Sequence, residues 1–150
     1  PVVTYGELAV LQNPTAQAVF DKVIAVRQAK LPDPAVLGNA GSFFKNPEIS
    51  VGQYNALKAK YPDMPGFDVS DAVKKVPAAW LIDKLGFKGK CVNAVRCHPT
   101  QPLVLTNTGQ ADGEDILTLA RDIIGSIQET FSIALEPEVR LIGEQGLISL

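Results

Sequence analysis

The chain has 150 residues, 46% hydrophobic and 20% charged, and a formal net charge of −2. That is the size and make-up of one ordered globular domain, and it excludes a disordered chain. The absence of a basic balance argues against nucleic acid as a partner, and no apolar run approaches the ~18 residues of a membrane span.

The chain opens on Pro1 rather than Met and no signal peptide is read, so it is expected to be cut from something longer or processed. Asn13 as a cap and Pro14 at the first helical position predict a helix. Its apolar residues are Ala16, Val19, Phe20, Val23 and Val26, and Leu31-Pro32-Asp33-Pro34 ends it. Residues 36–47 read as a loop. Ser50 with Gln53 forms a capping box and predicts a short helix through Lys60, with Tyr54, Leu57 and Tyr61 as its buried stripe. A short strand is expected over 71–76. Pro77 then opens a helix that carries Trp80, Leu81 and Leu85, and Gly86 ends it. Strands are expected over 90–98 and 103–106. A long helix runs from Gly113 to Thr130, capped by Asp112, with Ile116, Leu119, Ala120, Ile123 and Ile127 on one face. Strands over 131–135 and 139–142 close the chain. This order predicts an α+β fold, a two-layer domain of helices on a mixed sheet.

Cys91 and Cys97 are the two cysteines. On one continuous strand their Cα atoms would lie roughly 20 Å apart at ~3.3 Å per residue, far beyond the reach of a disulfide. Two free thiols and the single histidine do not make a zinc set, so no metal site is expected. Free thiols fit a reducing cytosol.

The stretch Gly38–Pro47 is the most unusual. Its glycines let backbone approach a ligand closely, and Ser42, Lys45 and Asn46 offer a hydroxyl, a charge and an amide. The plain alternative is a surface loop anchored by Phe43 and Phe44. A serine hydrolase built on Ser42, His98 and Glu138 is excluded, because Ser42 lacks the flanking glycines of a nucleophile elbow. No dinucleotide fingerprint or phosphate loop is present either. Elsewhere the residues read plainly: His98 as a solvated turn histidine, Trp80 as core, Glu136-Pro137-Glu138 as a solvated turn, Lys88 and Lys90 as solubility charges, and Gln101 as a polar turn tip.

Taken together, Gly38-Asn39-Ala40-Gly41-Ser42-Phe43-Phe44-Lys45-Asn46-Pro47 resembles a signature of the UDP-N-acetylenolpyruvoylglucosamine reductase (MurB) family. Lys30-Leu31-Pro32-Asp33-Pro34, Ala79-Trp80-Leu81-Ile82-Asp83 and Leu135-Glu136-Pro137-Glu138-Val139-Arg140 extend the likeness in family order. The resemblance implies the substrate-binding domain of a larger bacterial cytoplasmic flavoenzyme. That enzyme uses FAD and NADPH to reduce UDP-N-acetylglucosamine enolpyruvate in peptidoglycan synthesis. Residues 1–31 would be the tail of a preceding flavin-binding domain, 32–134 the substrate-binding domain and 135–150 a return segment. The flavin-binding domains and the family's catalytic arginine would lie outside this chain, so neither cofactor is expected on this fragment and it is expected to be inactive alone.

Residue by residue, the resemblance implies that Ser42 protonates C2 of the enol intermediate and that Glu138 is the catalytic glutamate beside that carbon. It implies that Tyr5 belongs to a mobile loop over the substrate, that Lys30 and Asn46 lie near the diphosphate, and that Lys88 and Gln101 reach the uridine. Two alternatives compete: a non-enzymatic nucleotide-sugar binding module on the same fold, and an interaction domain with a coincidental loop. Retention of both Ser42 and Glu138 favours the reductase, since a mere binder needs neither.

Overall fold

A computed structural model describes residues 15–150. The expected cap at Asn13 and the residue Tyr5 lie outside the described residues. Helix α1 (Ala16–Lys30) takes its cap from Thr15, whose side chain accepts from the Ala18 N–H at 3.1 Å. It ends at Leu31 beside the prolines, as the sequence predicts.

The segment expected to be a loop is in part a strand. β1 (Gly38–Ser42) is one edge of a four-stranded antiparallel sheet with β5 (Cys91–Val92), β6 (Val95–Cys97) and β7 (Val104–Asn107), in the order β1-β7-β6-β5. Its glycines and small polar residues disguise it, because strand pairing here comes from backbone groups rather than from an apolar pattern. The register sets Gly38 against Asn107 and Ser42 against Val104.

The single strand expected over 90–98 is a hairpin. Asn93 adopts a left-handed φ of 51° and turns the chain, so that Cys91 pairs with Arg96. Cys91 and Cys97 therefore lie on neighbouring strands, not roughly 20 Å apart. Cys91 shares a face with Arg96, and Cys97, the next residue along, points to the opposite one. Cys91 is exposed, Cys97 is buried, and both are free thiols.

A second antiparallel sheet has the order β2-β4-β3, from β2 (Glu48–Ser50), β3 (Phe67–Ser70) and β4 (Val73–Lys75). Between β2 and β3, helix α2 (Val51–Lys60) starts at Ser50, whose hydroxyl accepts from the Gln53 N–H at 3.1 Å. Only half of the capping box forms, because the Gln53 side chain donates instead to the Ser132 carbonyl at 2.8 Å. Helix α3 (Ala78–Lys84) ends with Gly86 at φ 76°, and the N–H groups of Gly86 and Phe87 close onto the carbonyls of Asp83 and Ile82.

Helix α4 (Gly113–Phe131) has the full capping box: the Asp112 carboxylate accepts from Asp115 N–H at 2.9 Å, and Asp115 returns the bond at 3.2 Å. Its buried stripe of Leu119, Ala120, Ile123, Ile127 and Phe131 lies against α3 and β6. Burying each of the larger side chains contributes about 1.5–3 kcal/mol. Met64, Val76, Leu81, Ile82 and Val95 complete the centre of the core. Trp80 does belong to it, edge-on to Tyr61 at 6.1 Å and tilted against Phe131 at 6.0 Å.

The strand expected over 131–135 is not formed. Phe131 is the last residue of α4, Ser132 turns left-handed at φ 53°, and the next three residues pair with no strand. Buried and exposed positions alternate there as on a strand, but Ile133 and Leu135 fill the core directly. The final strands are β8 (Leu141–Gly143) and β9 (Gly146–Ile148), a separate hairpin. The class is α+β, with the strands divided among three antiparallel sheets.

Candidate active site

β1 is irregular just before Ser42. The register slips between Asn39 and Ser42, and Gly41 has φ 77°. A Cβ at Gly41 would meet nothing within 4 Å, so the backbone angle rather than crowding calls for glycine. The Asn39 carboxamide locks the bulge. It accepts from Gly41 N–H at 2.9 Å and donates to the carbonyls of Leu37 and Pro32 at 2.7 and 3.2 Å. Such a bulge re-aims the side chain that follows, here the half-buried Ser42.

Past Ser42 the chain is gripped from two sides. Phe43 N–H donates to the Leu103 carbonyl at 2.6 Å, and the Phe43 carbonyl accepts from Glu138 N–H at 2.8 Å. Phe44 bridges Pro137, and Lys45 N–H donates to the Glu136 carbonyl at 2.9 Å. The buried Phe43 and Phe44 rings, 4.9 Å apart, anchor the segment in the core. Ser42 and Glu138, far apart in sequence, are thus held one hydrogen-bonded backbone step from each other. Glu136 and Glu138 are exposed, as the sequence suggests, but the backbone of residues 136–138 is paired rather than a free turn.

Asn46 follows directly. Its Oδ1 accepts from Ala78 N–H at 2.9 Å and so caps α3, whose N-cap residue Pro77 has no side-chain donor or acceptor. Asn46 and Glu138 line a hollow of about 750 Å³ together with Lys45, Gln53, Lys75 and Ser132. Lys45 faces Glu136 at 3.5 Å, and Lys75 faces Glu48 at 3.0 Å. A second hollow, about 680 Å³, lies between α1 and β1, with Arg27, Gln28, Asn39 and Gly41 on its walls. Ser42 lines neither; it sits in the stretch between them, with Gly41 on one and Lys45 on the other.

The β6–β7 turn stands at the same end of the sheet as Ser42, because Val104 pairs with Ser42 and also closes that turn through its bond to the Gln101 carbonyl at 2.8 Å. Gln101 is half-buried in the turn. The 85–90 turn lies alongside, since a Cβ on Gly89 would sit 3.8 Å from Pro99 Cβ. Lys88, in that turn, is exposed and paired to Asp83 at 3.1 Å. The structure thus brings Ser42, Gln101 and Lys88 to one end of the four-stranded sheet, with Glu138 and Asn46 tied in from the other side of Phe43. Lys30 is the last residue of α1.

Two titratable groups at this end are shifted. Burial, then the nearby Arg96, holds His98 below the ordinary imidazole value of 6.5. Burial pushes the Cys97 thiol up to about 11, and its Sγ lies 3.2 Å from the Pro102 carbonyl. Among the described residues no cluster of three or more His, Cys, Asp or Glu is placed to hold a metal ion. Gln53, Lys75 and Ser132 are additions that the sequence reading missed. The Gln53 signal was visible as the capping-box residue, but nothing local shows that its side chain crosses to Ser132.

The family description "UDP-N-acetylenolpyruvoylglucosamine reductase, C-terminal domain" matches residues 33–142. The chain belongs to this family. It is 59% identical over 150 residues to the UDP-N-acetylenolpyruvoylglucosamine reductase of Pseudoalteromonas atlantica, covering 100% of this chain and 44% of that protein. It is 50% identical to the reductases of Aliivibrio fischeri and Idiomarina loihiensis, covering 99% and 100% of this chain and 44% and 45% of theirs. The chain therefore spans less than half the length of the relatives it matches, and its likeness is to their C-terminal part. Among the described residues no helix is long and apolar enough to cross a membrane.

Proposed function

We propose that this chain is the substrate-binding C-terminal part of a bacterial cytoplasmic reductase of peptidoglycan synthesis. Its substrate is UDP-N-acetylglucosamine enolpyruvate, its product UDP-N-acetylmuramate and its reductant NADPH. The observation that carries the reading is the pairing of residues 43–45 with 136–138, which ties the segment bearing Ser42 to the segment bearing Glu138.

The described residues do not fit an FAD. Neither hollow offers a glycine turn opening a helix: one has no glycine on its wall, and the other has Gly41 on a strand and α1 only by its C-terminal half. The flavin, which supplies hydride when bound, belongs with the part of the relatives that this chain does not span. In this reading the fragment binds and protonates, and is inactive alone.

Hydride addition at C3 of the enolpyruvyl group leaves negative charge on C2 and its carboxylate. A serine hydroxyl is a weak acid, so Ser42 serves only against a strongly basic carbon within hydrogen-bond reach. A bulged strand locked by Asn39 and buried phenylalanines supplies the rigid placement that such a donor needs. Glu138 is assigned to the same carbon. Asn46, Lys30 and Tyr5 are assigned to the diphosphate and Lys88 and Gln101 to the uridine, which needs the donor and acceptor of one carboxamide.

The test is Ser42→Ala in the full-length enzyme that carries this segment. Stopped-flow absorbance should show flavin reduction by NADPH within twofold of normal and reoxidation by the enolpyruvyl substrate slowed about 10²-fold or more, the scale of general acid catalysis. Equal slowing of both half-reactions would remove Ser42 from the proton step.

A further inference from the structure

His98 opens the turn, as the sequence suggests, but its ring is engaged rather than free in solvent. Its ring is half-buried, and Nδ1 accepts from the backbone N–H groups of Thr100 at 3.3 Å and Gln101 at 3.1 Å. The Thr100 hydroxyl lies 3.3 Å from the same nitrogen. Residues 99–102 read Pro-Thr-Gln-Pro, and the two prolines have no N–H. The ring therefore takes every backbone N–H that these four residues possess. On the exit side the Gln101 carbonyl accepts from Val104 N–H at 2.8 Å, and His98 N–H donates to the Val104 carbonyl at 2.9 Å. The Gln101 backbone is fixed at both its N–H and its carbonyl, while its side chain makes no hydrogen bond to any described residue.

We infer that His98 is a positioning residue for substrate recognition: its neutral imidazole holds the backbone conformation from which Gln101 presents its carboxamide to the nucleotide base. The inference rests on the uridine-binding role proposed above for Gln101. To accept, Nδ1 must be unprotonated, with the ring hydrogen on Nε2. Protonation turns Nδ1 into a donor aimed at two other donors.

The charged groups on the elements around the ring are Arg96 on β6 and Lys88 and Lys90 in the 85–90 turn, with Asp83 paired to Lys88. β7 brings none. Burial and Arg96 both disfavour the imidazolium. A histidine held below its ordinary value keeps its acceptor through neutral pH and loses it only as pH falls through that lowered value.

The experiment is steady-state kinetics of the full-length enzyme from pH 5 to 8, with His98→Ala, His98→Asn and Gln101→Ala beside the natural sequence. His98→Ala should raise KM for the UDP-linked substrate about fivefold or more and leave kcat within twofold, as expected when binding rather than transition-state contacts are lost. Asn Oδ1 can accept the same two N–H groups in an Asx turn, so His98→Asn should restore KM. The natural enzyme's KM should climb on the acid side of pH 6.5, and the His98→Asn profile should be flatter. An unchanged KM in His98→Ala beside a raised KM in Gln101→Ala would overturn the inference alone. A fall in kcat as large as the rise in KM in both His98 variants would overturn it as a general structural defect. An unchanged KM in Gln101→Ala would overturn the uridine assignment and the inference with it. If His98→Ala does not fold, the His98→Asn profile decides, and one as steep as the natural enzyme's is the overturning result.

Discussion

Asn46 has two claims on one carboxamide. Its oxygen is committed to the Ala78 N–H at the start of α3, and the proposed diphosphate role falls to its amide nitrogen. Asn46→Asp separates the two. The carboxylate still accepts from Ala78 and suits a helix N-terminus, so thermal stability should hold. Substrate affinity should fall at least tenfold, because a donor facing a dianion becomes an anion. Asn46→Ala should cost about 1 kcal/mol of stability as well, through the lost cap. Equal affinity for Asn46→Asp and the natural chain, measured by calorimetry in the full-length enzyme, would confine Asn46 to capping. The two cysteines make a simpler contrast. Burial pushes Cys97 up to about 11, so at pH 8 it is overwhelmingly the protonated, unreactive thiol, while Cys91 is exposed. A thiol reagent at that pH should label one cysteine quickly and the second only when the chain unfolds. Rapid labelling of both would mean that the β6–β7 sheet opens far more readily than its packing implies.

Among the elements, α4 was legible from sequence at both ends and along its face, because cap, first-turn carboxylates and apolar period all agree. Its cap is correspondingly testable. Asp112→Ala leaves the Asp115 N–H without its side-chain acceptor and should cost about 1 kcal/mol, or a few degrees of melting temperature in a chain of this size. A circular-dichroism melt unchanged within a degree would show that the capping box adds nothing beyond the packed stripe. The strands were far less legible. β1 is glycine and small polar residues, β5 and β6 hide a two-residue turn at Asn93-Ala94 inside what reads as one strand, and 131–135 has a strand's alternation of buried and exposed positions with no partner to pair. A strand is defined by its neighbour, and the neighbours here are distant in sequence; helix caps are local and can be read in a window of four residues.

At the scale of the whole molecule the sequence offers the candidate site as a set of residue types and not as a geometry. The resemblance gathers Ser42, Glu138, Asn46, Lys88 and Gln101, but no spacing shows that two of them are joined by a backbone pairing across Phe43, or that a histidine organises the turn bearing a third. Those relations are tertiary. Among the described residues, apolar side chains stand uncovered on α1 (Phe20 and Ile24), at Val36, on β3 (Phe67 and Val69) and on the last hairpin, where Ile142 and Leu147 are a cross-strand pair. A two-stranded hairpin is marginal by itself in water, so β8 and β9 owe their order to what they rest on.

The bridge from Phe44 to Pro137 also sets an order of assembly. During synthesis the serine segment leaves the ribosome before the glutamate segment, and β7 can pair with β1 once residue 107 has emerged. The glutamate segment arrives only after all of α4, and until then one edge of the 43–45 stretch stands open. A nascent chain stalled or clipped within α4 would therefore carry all four strands of that sheet but only one partner of the bridge. Pairing of 43–45 with 136–138 therefore waits until α4 has been made, however early the sheet itself has formed.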